Sequence, residues 1–253
     1  MSRTNRITVA RAFSRVPRVD LSIDCVLEDQ MGRVYVENPA APRAFQLRLG
    51  PFNYFAGDPQ APGSCGMVAS LEPYAMLFPS ADGWAELAKD VHGARLVEIP
   101  RYSFSSRQLR MEHLETMLRA SEWCDKLVRV DSALATHLYR IPGHWFDLSD
   151  YESGEDFVAR GLGYCLFEAG MPAAGGYSSL VCSRGIEVSI YVEPPYRRRG
   201  VAAALACALL IECLRAGMEP HWDAANVESC RLAEKLGYTA TGEYRAWYVR
   251  PSD

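Results

Sequence analysis

Three consecutive arginines, Arg197, Arg198 and Arg199, stand directly before Gly200 and the start of a long apolar run. The amino end of a helix already carries partial positive charge, so cations crowded there are unfavourable by a few tenths to about 1 kcal/mol each. An anion in the same place reverses that sign. Unsatisfied N–H groups of a first helical turn, a glycine that permits close approach, and flanking guanidiniums together make a phosphate cradle. A nucleotide-hydrolysing loop would place Gly-Lys-Ser/Thr at the helix start, and that run is absent. The dinucleotide fingerprint requires three glycines in the turn, and only Gly200 is there.

A second chemistry lies just upstream. In the strand-like run 186–192, alternation puts Glu187, Ser189 and Tyr191 on one face and Val188, Ile190 and Val192 on the other. Strands covered by helices on both sides are usually apolar on both faces. A polar stripe therefore marks a cleft, and Glu187 is the candidate general base, acting through water because a free amine has a pKa near ~10. His221, Trp222 and Asp223 sit on a following strand; a lone strand histidine is more often structural than catalytic. The five histidines are scattered and the eight cysteines form no CxxC pair, so no metal site is expected.

These groups need elements to hold them. Residues 201–215 are apolar nearly all round and rich in alanine, which predicts a buried helix with Arg215 at its carboxyl end and Gly217 as the stop. A short strand over 220–226 follows. Asn226 suits the N-cap of a second helix over 227–236, closed by Gly237, and residues 242–249 read as a last strand. Upstream, 153–160 reads as a helix, and 163–167 and 174–182 as two strands.

Arg197-x-x-Gly200-x-Ala202 after a strand, with Pro194 and Pro195 between, is followed by Asn-x-x-Ser-x-x-Leu-Ala-Glu-Lys-Leu-Gly-Tyr over 226–238. The pair resembles the GNAT acyltransferase superfamily over about residues 145–250. That resemblance implies an α/β GNAT fold with a mixed sheet. It also implies acetyl-CoA as co-substrate and an acetyl group moved to an amine of a small molecule, by direct attack in a ternary complex.

By the same resemblance, the backbone from Arg199 through Gly200 and Val201 to Ala202 faces the pyrophosphate, with Arg197 and Arg198 beside it. Tyr191 and Val192 end a strand that splays from its neighbour to receive the pantetheine arm. Asn226 contacts CoA; Ser229, read from its own place in the first turn of the second helix, is within reach of CoA too. The family often carries a tyrosine before Glu-Lys-Leu-Gly as acid toward the departing sulfur; here that position is Ala233, and Tyr238 is the candidate in its place, with a core role as the other reading. A narrower likeness, to zwittermicin A resistance-type GNAT proteins, rests on 221–226, 232–238, Trp145-Phe146-Asp147 and Glu155-Asp156-Phe157.

The amino-terminal half carries no cofactor motif. It reads as mixed α and β: a strand over 45–55, a strand over 74–78, a helix over 83–91 capped by Asp82, a strand over 95–100, a helix over 108–123 and a strand over 126–130. Its expected role is one wall of the acceptor pocket, with a degenerate GNAT-like duplicate as a further possibility. The organisation expected is a basic segment 1–20, an amino-terminal α/β domain 21–144 and a GNAT domain 145–253. The first 19 residues hold five arginines and no acid, which fits a solvated basic start or an organelle transit peptide; the remainder carries −9 of a net −4.

At 253 residues and 49% hydrophobic content the chain buries a sizeable core. No run reaches the ~20 apolar residues of a membrane span. No basic stripe with interleaved aromatics suggests nucleic acid. The cysteines read as reduced thiols of a cytoplasmic protein. The rival function is a non-catalytic acyl-CoA-binding regulatory module, for which Ala233 is the main support.

Overall fold

A computed structural model describes residues 3–141 and 146–251, so His144 and Trp145 lie outside the described residues. The chain forms two compact units, Met1–Arg101 with Glu243–Asp253, and Tyr102–Gly242. The expected boundary at 144/145 is not where they divide. Residues 102–141 belong with the second unit because their helix buries Leu114, Met117 and Leu118 against the long helix after Gly200.

The first unit begins with α1 (Arg3–Ala12) and α2 (Ser22–Leu27), then β1 (Arg33–Val36), β2 (Ala44–Leu49), β3 (Phe52–Gly57), α3 (Ser64–Ala69), β4 (Met76–Pro79) and α4 (Asp82–His92). The basic start is thus helical, and Phe13, Val16 and Leu21 behind it are buried. The single strand expected over 45–55 is a hairpin instead: Gly50, at φ 52°, and Pro51 break the run between β2 and β3. Asp82 lies inside the first turn of α4, whose N-cap is Ala81. The core packs Phe55, Val68, Leu77, Trp84 and Trp247 together.

Strand β5 (Leu96–Ser105) leads into the second unit, which continues with α5 (Met111–Arg119), β6 (Leu127–Arg129), α6 (Ser132–Tyr139), α7 (Gly154–Arg160), β7 (Gly163–Glu168), β8 (Met171–Cys182), β9 (Gly185–Val192), α8 (Val201–Arg215), β10 (Glu219–Ala224) and α9 (Val227–Leu236). Strand β11 (Thr239–Val249) returns to the first unit. The expected helix over 108–123 is shorter at both ends: Arg110 is extended and α5 closes at Ala120, which leaves Trp123 outside it.

Local signals fixed the second unit well. The Ser153 hydroxyl accepts the Asp156 N–H at 3.1 Å to start α7. The Asn226 side chain accepts the Ser229 N–H at 2.9 Å to start α9, and Gly237 ends that helix at φ 103°. Gly217, at φ 68°, follows α8.

The two halves repeat one order of elements. In the first, antiparallel β2–β3 leads to α3, then β4 parallel to β3, then α4. In the second, antiparallel β8–β9 leads to α8, then β10 parallel to β9, then α9. The strand after each second helix serves the other unit. Within the first unit, β11 pairs antiparallel with β4 through Trp247↔Leu77. Within the second, the end of β5 pairs antiparallel with β10 through Trp222↔Phe104.

Candidate active site

Strands β9 and β10 run parallel from Glu219↔Gly185 to His221↔Glu187. Beyond that point β10 pairs on its other side, Trp222 to Ala224 with Phe104 to Tyr102 of β5. The remainder of β9, Val188 to Val192, is half-buried. The two strands therefore part into a cleft, as the resemblance implied.

Parity on β9 is as the sequence indicated. Val188 and Ile190 pack into the core shared by α5, α8 and α9, and Ile190 and Val192 pack against Val201, Ala204 and Leu205 of α8. Glu187, Ser189 and Tyr191 take the opposite face. On β10, Trp222 and Ala224 enter the α8 core, so His221 shares the face of Glu187. Their side chains meet at the apex of the cleft, His221 Nδ1 lying 2.9 Å from Glu187 Oε2, with the residues only 6% and 9% exposed. On the same face the Tyr177 hydroxyl accepts the Asp147 N–H at 3.1 Å, and the Phe146 and Tyr177 rings lie 4.4 Å apart.

The cleft leads to the start of α8. Gly200 is the N-cap at φ 84°, no side chain caps the helix, and its first turn holds no acid. Ala204 is the donor to the Gly200 carbonyl, so the amides of Val201, Ala202 and Ala203 precede the helical ladder. Arg198 is itself left-handed at φ 63°. The Arg197 Nε–H donates to the Val192 carbonyl at 2.8 Å, which ties the loop to the end of β9. Arg199 lies over the Trp123 ring at 5.1 Å, and the Trp123 indole N–H donates to the Arg199 carbonyl at 2.8 Å. A Cβ built on Gly200 meets nothing within 4 Å, so the space before the cradle is open. Free amides, helix polarity, guanidiniums and open space all suit a diphosphate.

Asn226 caps α9 from an exposed position, and the Ser229 hydroxyl accepts the Trp222 indole N–H at 3.1 Å. Tyr238 stands apart from the cleft. It is 4% exposed, packs on Trp222 and donates its hydroxyl to the Pro220 carbonyl at 2.8 Å. Burial holds its phenol well above the ordinary range. The expectation that Tyr238 protonates a departing sulfur is corrected by this placement, because its proton is committed to the core. Ala233 is fully buried in the α5–α8–α9 core. Sequence reasoning passed over Trp123, which it placed at the end of a helix, and over the pairing of His221 with Glu187.

The model of the GNAT acetyltransferase family matches residues 18–247. The chain belongs to the GNAT acetyltransferase family. Like its family it is an acyltransferase that draws on acyl-CoA, and the match takes in the amino-terminal half as well as the motif region. It is 23% identical over 227 residues to the uncharacterized N-acetyltransferase YdfB of Bacillus subtilis (strain 168), covering 86% of this chain and 85% of that protein. The structure is similar to a GCN5-related N-acetyltransferase-like protein from Streptococcus suis 89/1591, with a TM-score of 0.86, 27% identity and coverage of 98% and 99% of the two chains. A GCN5-related N-acetyltransferase from Kribbella flavida shares the fold at a TM-score of 0.55 and 13% identity, over 88% and 91% of the chains. Among the described residues no group of His, Cys, Asp and Glu is arranged to hold a metal ion, and no helix is long and apolar enough to cross a membrane.

Proposed function

We propose that this GNAT protein transfers an acetyl group from acetyl-CoA to an amine of a small molecule. The observation that carries the reading is the cleft between β9 and β10, with Glu187 and His221 at its apex and the uncapped start of α8 at its mouth. The cradle from Arg197 to Ala202 holds the diphosphate, so the thioester lies along Tyr191 and Val192. Asn226 and Ser229 contribute from the start of α9.

In the ternary complex the amine nitrogen bonds to the thioester carbon and the carbon–sulfur bond breaks. Glu187, supported by His221, receives the ammonium proton through water before attack. Backbone N–H groups at the parted strand stabilise the oxyanion. The second nitrogen proton passes to solvent as the carbon–sulfur bond breaks; with Tyr238 engaged in the core and alanine at 233, the thiolate leaves unassisted, which its ordinary pKa of ~8.5 permits. The likeness to zwittermicin A resistance-type proteins supports an amine-bearing antibiotic as acceptor. The eight cysteines form no CxxC pair, which supports a reducing, cytoplasmic setting. We keep residues 145–253 as the part that carries the chemistry.

The test is a thermal-melt titration with acetyl-CoA, on the unmodified protein and on Arg198→Glu/Gly200→Glu. Ligand at 100 times its Kd stabilises the native state by about 2.7 kcal/mol, a visible upward shift in Tm. A shift lost in the double variant, followed by thiol release with one member of an amine panel, is the expected result. No shift at millimolar acetyl-CoA would sink the reading.

A further inference from the structure

We propose that Trp123 is a positioning residue for the co-substrate, holding the cradle peptide in the orientation that accepts the diphosphate. The inference rests on the acetyl-CoA reading above.

Trp123 lies between α5 and β6, far from the arginine motif in sequence. It is 2% exposed and packs against Val201, Ala204 and Leu205 in the first turns of α8. A buried indole N–H requires an acceptor, and this one has the Arg199 carbonyl at 2.8 Å. The carbonyl and the N–H of one planar trans peptide point in opposite directions. Fixing the Arg199 carbonyl toward Trp123 therefore turns the Gly200 N–H away from the core.

That choice needs fixing. Arg198 and Gly200 are both left-handed, at φ 63° and 84°. With glycine following it, the Arg199–Gly200 peptide can rotate at little steric cost. A rotated peptide would present a carbonyl oxygen to the anion, which is repulsive where the N–H is attractive. The same ring also holds the charge in place: the Arg199 guanidinium lies 5.1 Å from its centroid and the Lys126 ammonium 4.6 Å. Trp123 thus keeps both the amide and Arg199 beside the diphosphate without touching it.

Trp123→Phe retains the ring and deletes the donor. Calorimetric titration with acetyl-CoA should show Kd raised about tenfold, the worth of one hydrogen bond, alongside a lower apo Tm, because the smaller ring leaves space in the core and the Arg199 carbonyl loses its donor. In turnover, KM for acetyl-CoA should rise while kcat and KM for the amine hold. A folded variant with Kd within twofold of the unmodified protein overturns the proposal, and so does a uniform loss in kcat and both KM values.

If the variant does not fold, the unmodified protein decides. Its Trp123 indole signal, identified by elimination with Phe at each other tryptophan, should shift on titration with acetyl-CoA, because its acceptor is part of the cradle. An unmoved signal in a saturated complex overturns the proposal. Absence of any acetyl-CoA binding to the unmodified protein ends the functional reading itself, and this inference with it; normal binding beside an indifferent variant ends this inference alone.

Discussion

Glu187 and His221 are the last paired residues of β9 and β10, and their side chains touch at 2.9 Å where the strands part. Sequence alternation sets Glu187 on the cleft face, and the partner waiting beside it is a histidine of the kind that is more often structural than catalytic. The pair sets the imidazole directly beside the buried carboxylate.

Replacing Glu187 with Gln should cut kcat by about a hundredfold or more, the usual worth of a positioned base. Acetyl-CoA should bind with unchanged Kd, since the cradle is untouched. Steady-state thiol release together with calorimetry separates the two quantities. Full turnover in the Gln variant would remove Glu187 from the chemistry.

Tyr238→Phe should leave kcat within about threefold of the unmodified protein while lowering stability by about 1–3 kcal/mol, because the buried Pro220 carbonyl loses its donor. Chemical denaturation and turnover assays read the two effects. A large fall in kcat with stability intact would restore Tyr238 as the acid.

Much of the second unit was legible because its signals are local. Asn226 and Gly237 bound α9, and Gly200 opens α8 through a left-handed turn; each is readable from one or two neighbours. The strand parity that placed Glu187 is equally local. What the sequence hid depends on distant partners. Trp123 and Arg199 are 76 positions apart, and nothing near either announces the other. The exchange of β5 and β11 was invisible for the same reason: each strand has ordinary composition, and only the assembled sheets reveal which unit it serves. Gly50 could have been read as a turn, and the loose alternation around it concealed the hairpin.

Alkaline pH should destabilise the fold in a defined window. Burial pushes the thiols of Cys165, Cys207 and Cys213 from an ordinary 9.0 up to about 12. Below the unfolded value both states keep these protons, and their contribution is fully present. As pH rises from about 9 toward 12 the unfolded chain ionises and the native one resists, so the native state binds more protons and stability falls. Tm measured from pH 7.5 upward should decline above about 9, the unfolded thiol value, and Cys207→Ala should give a shallower decline. An identical slope in that variant would contradict the account.

One acetyl-CoA should bind per chain, despite the repeated order of elements. At the equivalent junction in the first unit, Asp58 is paired with Arg43, α3 has six residues, and no arginine cluster precedes it. There β3 and β4 stay paired over four positions, from Phe52↔Met76 to Phe55↔Pro79. Calorimetry should give a stoichiometry near one; two equivalents would mean that the first unit also retains a functional cradle.

The traded strands bear on how the molecule is made. A ribosome delivers β1 to β4 early, yet the strand that flanks β4 is β11, which emerges after the whole second unit. The nascent first unit must wait with an uncovered sheet edge, a surface that invites mispairing or a chaperone. The second unit meets no such delay, for β5 is already outside the exit tunnel when β10 arrives. Translation order and folding order are therefore reversed: the half that carries the cradle can close first, and the half synthesised first closes last.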